Sequence, residues 1–196
     1  MKKIILASTS VGRKKLMETL KIPFEVMASD FEEDMGLQMT PSELALFLSH
    51  GKAQAVANKN ADAIVIGTDT FVVFKNKLLG KPRDDDHAKE MLRSMRGNKH
   101  SVMTGITVIE GSKIVKRVVE TDVYMKSVSD EIIDMYVESG ESKGRAGAYG
   151  IQGNGREILV EKIEGQYHNI IGLPLETLVQ ILNDNFGMEL TFISKE

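Results

Sequence analysis

The sequence predicts an α/β fold of mixed α+β character, with a mixed central sheet flanked by helices. Two observations predict it. In the first half, short apolar runs alternate with segments of helical spacing. In the middle, two long strand-like runs meet at Gly111-Ser112, which is the pattern of a hairpin. At 196 residues and 42% hydrophobic, the chain has enough apolar material for one sizeable core. No Pro/Gly/Ser-rich linker divides it, so residues 1–196 read as a single domain.

Residues 3–7 form a buried strand and residues 13–20 a helix, with Leu16 and Leu20 on one face. Residues 24–28 are a short strand. Residues 41–58 form a long helix: Thr40 suits the N-cap, Pro41 the first position, and Glu43 completes a capping box. Residues 63–67 are an apolar strand, and residues 70–74 a second one just beyond Asp69. Residues 84–95 are helical; Asp84, Asp85 and Asp86 read as a cap and dipole complement rather than as chemistry. The hairpin takes residues 102–110 and 114–125. Residues 130–139 and 174–185 supply the remaining helices.

A net charge of −3 argues against a dedicated nucleic-acid binder. There is no cysteine, hence no disulfide framework and no thiolate metal site. The four histidines show no ligand spacing, so a metal would be held by oxygen. The apolar run before Ser8 is too short for a signal peptide, and no window reaches the roughly 18 apolar residues of a membrane span. The expectation is a cytoplasmic protein with no nucleic-acid or membrane partner.

Several stretches allow chemistry. In "ILASTSVGRKK" a strand breaks into hydroxyls, a glycine and cations. Either a Ser or Thr caps a helix whose Arg13, Lys14 and Lys15 are solvated, or hydroxyls, amides and Arg13 hold phosphate. Asp69 follows an apolar strand, the place where α/β folds put their sites, although a turn aspartate beside Gly67 reads equally well. Glu32 and Glu33 lie in an acidic stretch that is either solvated or shares a divalent cation with Asp69. Lys81 is either an ordinary surface lysine or, framed by Gly80 and Pro82 close after Asp69, a fixed cation, and Lys52 reads as a surface lysine. "GRAGAYGIQGNG", residues 144–155, is too glycine-rich for a packed element. It reads as a surface loop or as backbone that approaches a ligand, with Tyr149 to pack on a flat ring and Gln152 to hydrogen-bond.

Taken together, "IILASTSVGRKKLM", "GTDTFVV", "LLGKPRDDDHAKEML", "HSVMTGI", "RAGAYGIQG" and "IIGLPLETL" resemble the Maf family in order and spacing. The resemblance implies an elongated sheet fold like that of the inosine triphosphate pyrophosphatases, with a cleft between two lobes. It implies hydrolysis of a nucleoside triphosphate to the monophosphate and pyrophosphate with Mg²⁺ or Mn²⁺, and a homodimer as the assembly. The "AYGIQG" form resembles the branch acting on dTTP and UTP. Carried over residue by residue, Asp69 matches the catalytic carboxylate and, with Glu33, the metal site. Ser8, Ser10, Arg13, Lys52 and Lys81 match substrate-holding positions, and Gly12, Thr70 and Gln152 match positions tied to substrate choice. Two departures stand out: Gly12 replaces a family arginine, and "ESKGR" replaces Glu-Pro-x-Asp-Lys. Gly12 opens the alternative of another base, purines included; a division regulator that senses nucleotide without turnover is a further alternative.

Overall fold

The computed structural model describes residues 2–32 and 38–192. The first half holds β1 (Ile4–Leu6), α1 (Val11–Glu18), β2 (Glu25–Val26), α2 (Pro41–Ala57), β3 (Ile64–Phe74), β4 (Lys77–Leu79) and α3 (Asp85–Met95). The second half holds β5 (Lys99–Glu110), β6 (Lys113–Met125), α4 (Asp130–Glu138), a 3₁₀ turn (Ala146–Ala148), α5 (Asn154–Leu159), β7 (Val160–Glu164), α6 (Tyr167–Ile171) and α7 (Leu175–Phe186). The seven strands form one sheet in the order β2-β1-β3-β5-β6-β7, with β4 paired to β3. It is mixed, as expected: β1 runs parallel to β2 and β3, whereas β3–β4 and β6–β7 are antiparallel. No described helix is long and apolar enough to cross a membrane.

The chain divides into two compact units: residues 1–70, 103–119 and 166–196 in the first, residues 71–102 and 120–165 in the second. The passages fall inside β3, β5 and β6 and just after β7. Strands carry the chain from one unit to the other, so composition marks no linker.

In the first unit the sheet buries both faces, and the period of two assigns each residue to one of them. Even-numbered Ile4, Leu6, Ile64, Ile66, Ile106 and Val108 pack with Leu16 and Met17 of α1 and with Leu178, Ile181 and Leu182 of α7. Odd-numbered Ile5, Ala7, Val65 and Ile109 pack with Ala53, Val56 and Ala57 of α2. Helix α2 carries the full capping box between Thr40 and Glu43. It also lies unusually close to the sheet. A Cβ on Gly105 of β5 would sit 1.9 Å from the Ala45 carbonyl oxygen, and one on Gly67 of β3 would sit 2.5 Å from that of Ser49. Glycine is required at both places because α2 backbone fills the space of a side chain.

Three expectations are corrected. Residues 63–67 and 70–74 are not two strands parted at Asp69 but one, β3, running through it. The threonines flanking Asp69 are β-branched and suit a strand, and Gly67 is there for the helix above rather than for a turn. Helix α1 starts two residues before the expected helix, with Ser10 as N-cap, its side chain accepting from the Arg13 amide. The glycine-rich run is no surface loop. Gly147, Ala148, Tyr149, Gly150, Ile151 and Gly155 are buried, and α5 begins at Asn154. Its glycines admit neighbours: a Cβ on Gly155 would meet the Gly150 carbonyl oxygen at 2.3 Å. Strands β4 and β7 and helices α5 and α6 were not expected; each is six residues or fewer, too short for a period to show.

In the second unit, Tyr149 is a core residue, which removes the expectation that its ring stacks on a ligand. Its hydroxyl lies 2.8 Å from His100 Nε2. Burial holds the His100 imidazole well below its ordinary value, from 6.5 to about 4, despite the opposing pull of Asp122. The unfolded chain binds this proton below about pH 6.5 and the folded chain does not. Stability is therefore complete above that pH and falls as the pH drops from about 6.5 toward 4, by roughly 3 kcal/mol from this group. His100→Gln, which does not titrate, should flatten the dependence of the unfolding free energy on pH across this window. Denaturant titrations at a series of pH values measure it; equal slopes for parent and variant would show that His100 is not the group responsible.

Candidate active site

β1 ends at Leu6, level with Ile66 of β3. Beyond that point β3 continues without β1, and the chain leaves through Ser8 and Ser10 into α1. Two groups of the expected residues gather here, one on each face of the sheet.

On the α2 face, Asp69 follows Gly67 at the strand period and points the same way. Its carboxylate Oδ1 accepts from Lys52 Nζ at 2.5 Å, with side chains only 10% and 13% exposed. Lys52 is therefore not the surface lysine its sequence context indicates: α2 presents it to the sheet, and the close approach at Gly67 brings it to Asp69. A carboxylate this enclosed is tolerated because it is paired. Nearby, Ser49 Oγ and Thr107 Oγ1 lie 2.9 Å apart, joining α2 to β5.

On the opposite face, Arg13 turns inward while Lys14 and Lys15 stay exposed, so the N-cap is real but Arg13 is not part of a solvated face. Its Nε donates to the Gly172 carbonyl at 2.9 Å. Its Nη1 donates to Ser8 Oγ at 3.2 Å and to the Thr68 carbonyl at 3.0 Å. Its Nη2 donates to Thr70 Oγ1 at 3.3 Å. Thr70 Oγ1 is also 2.9 Å from Thr104 Oγ1, which in turn donates to the Asn169 carbonyl. Ser8 Oγ accepts a further bond from the Ser10 amide. Gly12 faces Ile171: a Cβ there would sit 3.2 Å from its Cγ2.

Lys81 and Gln152 belong to the second unit, and both are exposed. The Lys81 loop is tied down by the Gly147 amide, which donates to the Gly80 carbonyl. The Gln152 segment is held by the Gly150 amide donating to Tyr136 Oη at 3.0 Å. Glu33 lies outside the described residues. Thr68, Thr104, Asn169 and Gly172 were not assigned a part from the sequence; Thr104 and Gly172 lie within the stretches "HSVMTGI" and "IIGLPLETL", but nothing local shows that both converge on Arg13.

A family model described as Maf-like protein matches residues 3–185. The chain belongs to the Maf family. Among curated relatives, a protein of Bacillus cereus named dTTP/UTP pyrophosphatase is 44% identical over 191 residues, spanning 97% of this chain and 99% of that protein. A protein of the same name from Bacillus thuringiensis subsp. konkukian is 43% identical over the same shares. Among solved structures, a HAM1 protein from Coxiella burnetii superposes with a TM-score of 0.51 at 15% identity, covering 94% of this chain and all of the other. That likeness is one of fold. For this Maf protein, the comparisons place the Lys52–Asp69 pair and the Arg13 cluster within the matched region.

Proposed function

We propose that the protein hydrolyses nucleoside triphosphates, dTTP and UTP among them, to the monophosphate and pyrophosphate. The observation that carries this reading is the enclosed Asp69 carboxylate, paired with Lys52 where β1 ends, in a Maf chain 44% identical to a protein named for that activity. Water attacks the α-phosphorus, the bond to the bridging oxygen breaks, and pyrophosphate departs. Asp69 takes the proton of the water. The Lys52 ammonium, beside it, is placed to hold phosphate charge as that charge shifts to the leaving group. Ser8 and Ser10, like Lys81, are assigned to the phosphates on the resemblance; they lie at the start of α1, where backbone N–H groups favour an anion.

The residues fit a divalent cation of the Mg²⁺ or Mn²⁺ type. Asp69 gives one oxygen to Lys52 and keeps a second, a hard donor of the kind such ions take, and Glu33 is the other carboxylate assigned to them. Such an ion is commonly held by one or two carboxylates together with substrate oxygens. When bound, such an ion supplies charge neutralisation at the phosphates and lowers the pKa of the attacking water.

Base choice is assigned to Gln152, exposed at the end of a segment otherwise locked in place. A primary amide can donate to a pyrimidine carbonyl and accept from the ring N–H. Incubation with a panel of nucleoside triphosphates and Mg²⁺, with pyrophosphate as the readout, tests the activity. Release from UTP and dTTP above GTP is expected; no release from any triphosphate would overturn it. GTP as the best substrate would favour the second reading, motivated by the missing side chain at Gly12. Gln152→Leu should lower kcat/KM for UTP and dTTP by roughly 1–3 kcal/mol and change GTP much less. An equal loss on all three would remove Gln152 from base reading.

A further inference from the structure

We propose that Arg13 is a positioning residue: it continues the β1–β3 ladder past the end of β1 and holds both neighbours of Asp69, Thr68 by its carbonyl and Thr70 by its hydroxyl. This rests on the reading of Asp69 as the reacting carboxylate, and it sets aside the phosphate contact that the family resemblance assigns to Arg13.

The ladder gives the first argument. The Ile64 amide donates to the Lys3 carbonyl at 2.9 Å, and the Ile66 carbonyl accepts from the Ala7 amide at 2.8 Å. Even-numbered residues of β3 thus turn their backbone groups toward β1. The next carbonyl in that series is Thr68, and β1 has already ended. Arg13 Nη1 reaches it at 3.0 Å and takes the place of the missing strand. A buried strand carbonyl needs such a partner. On the other side of Asp69, Nη2 reaches Thr70 Oγ1, which Thr104 and the Gly172 carbonyl also hold.

Donor geometry gives the second. A guanidinium grips an anion through two adjacent N–H groups. Each such pair includes Nε or Nη1, and both are given to protein carbonyls. Gly172 is shaped to this arrangement: its φ is +110°, and a Cβ there would sit 3.1 Å from Arg13 Nε. The strand faces give the third. The side chains of Thr68 and Thr70 lie on the face opposite Asp69 and Lys52, so Arg13 acts on Asp69 through the strand from behind. Displacement of a reacting group by about 1 Å can cost about 100-fold in rate, so a clamp on both neighbours of Asp69 is a catalytic requirement without being a contact with substrate.

The test compares Arg13→Ala, Arg13→Lys and Thr70→Val. For each, kcat with UTP is measured beside the affinity for α,β-methylene-UTP, which cannot be cleaved at the reacting bond. A clamp predicts that kcat of Arg13→Ala falls by about 100-fold or more while affinity changes by less than about threefold. Millimolar guanidinium should restore part of the rate, and Thr70→Val should show the same split in milder form. A phosphate ligand predicts the reverse, with affinity weakened about tenfold or more and kcat largely kept, and that result would overturn the proposal. Circular dichroism checks folding; if Arg13→Ala does not fold, Arg13→Lys and Thr70→Val decide by the same split. Failure of the underlying reading shows separately: Asp69→Asn would then remain active, whatever the Arg13 variants do.

Discussion

Asp69→Asn is expected to lower turnover by about 10²–10⁴-fold, the range for loss of a general base. The substitution keeps the shape of the side chain and removes its charge and basicity. Asn can still accept a hydrogen bond from Lys52, so the 2.5 Å contact is weakened rather than emptied. The unfolding free energy should fall by about 1.5–3 kcal/mol, the worth of a hydrogen bond to a charged group, because the amide still accepts from Lys52 while the counter-charge is lost. Pyrophosphate release at saturating UTP and a denaturant titration of the same preparation measure the two effects together. Turnover within a few-fold of the parent would take Asp69 out of the chemistry. A large loss of stability with proportional loss of activity would make it a structural carboxylate.

Among the described glycines, Gly105→Ala should have the largest effect on stability. The new Cβ would lie 1.9 Å from the Ala45 carbonyl oxygen and 2.9 Å from Ser49 Oγ. The first is backbone in the middle of a helix and cannot rotate aside. Helix α2 must lift from the sheet, which breaks the packing of Ala53, Val56 and Ala57 and separates Lys52 from Asp69. Overpacking of this kind costs about 1–3 kcal/mol where side chains can give, and more where only backbone can. A loss of about 4 kcal/mol or more is expected, at the exceptional end of single substitutions. Gly80→Ala is the control: nothing lies within 4 Å of its Cβ, and stability should change by no more than about 0.5 kcal/mol. Unfolding midpoints of the two variants would settle it; similar small changes in both would show that α2 does not rest on the sheet as described.

The sequence alone determined what depends on local pattern. The capping box at Thr40 and Glu43, the acidic N-terminus of α3 and the hairpin of β5 and β6 follow from a few neighbouring residues whose chemistry allows little else. It also determined the family, because many short stretches in register are far more specific than any one of them. The tertiary structure decided what depends on residues distant in the chain. Lys52 looks like any helix lysine until glycines in two strands let its helix settle onto the sheet. Tyr149 could face a ligand or a core, and a histidine 49 residues away in the chain settles it. Arg13 sits among cations at a helix start, and only the early end of β1 gives it a carbonyl to hold. In each case the side chain's role is set by the backbone that comes to lie against it, and no local period of the sequence records that approach.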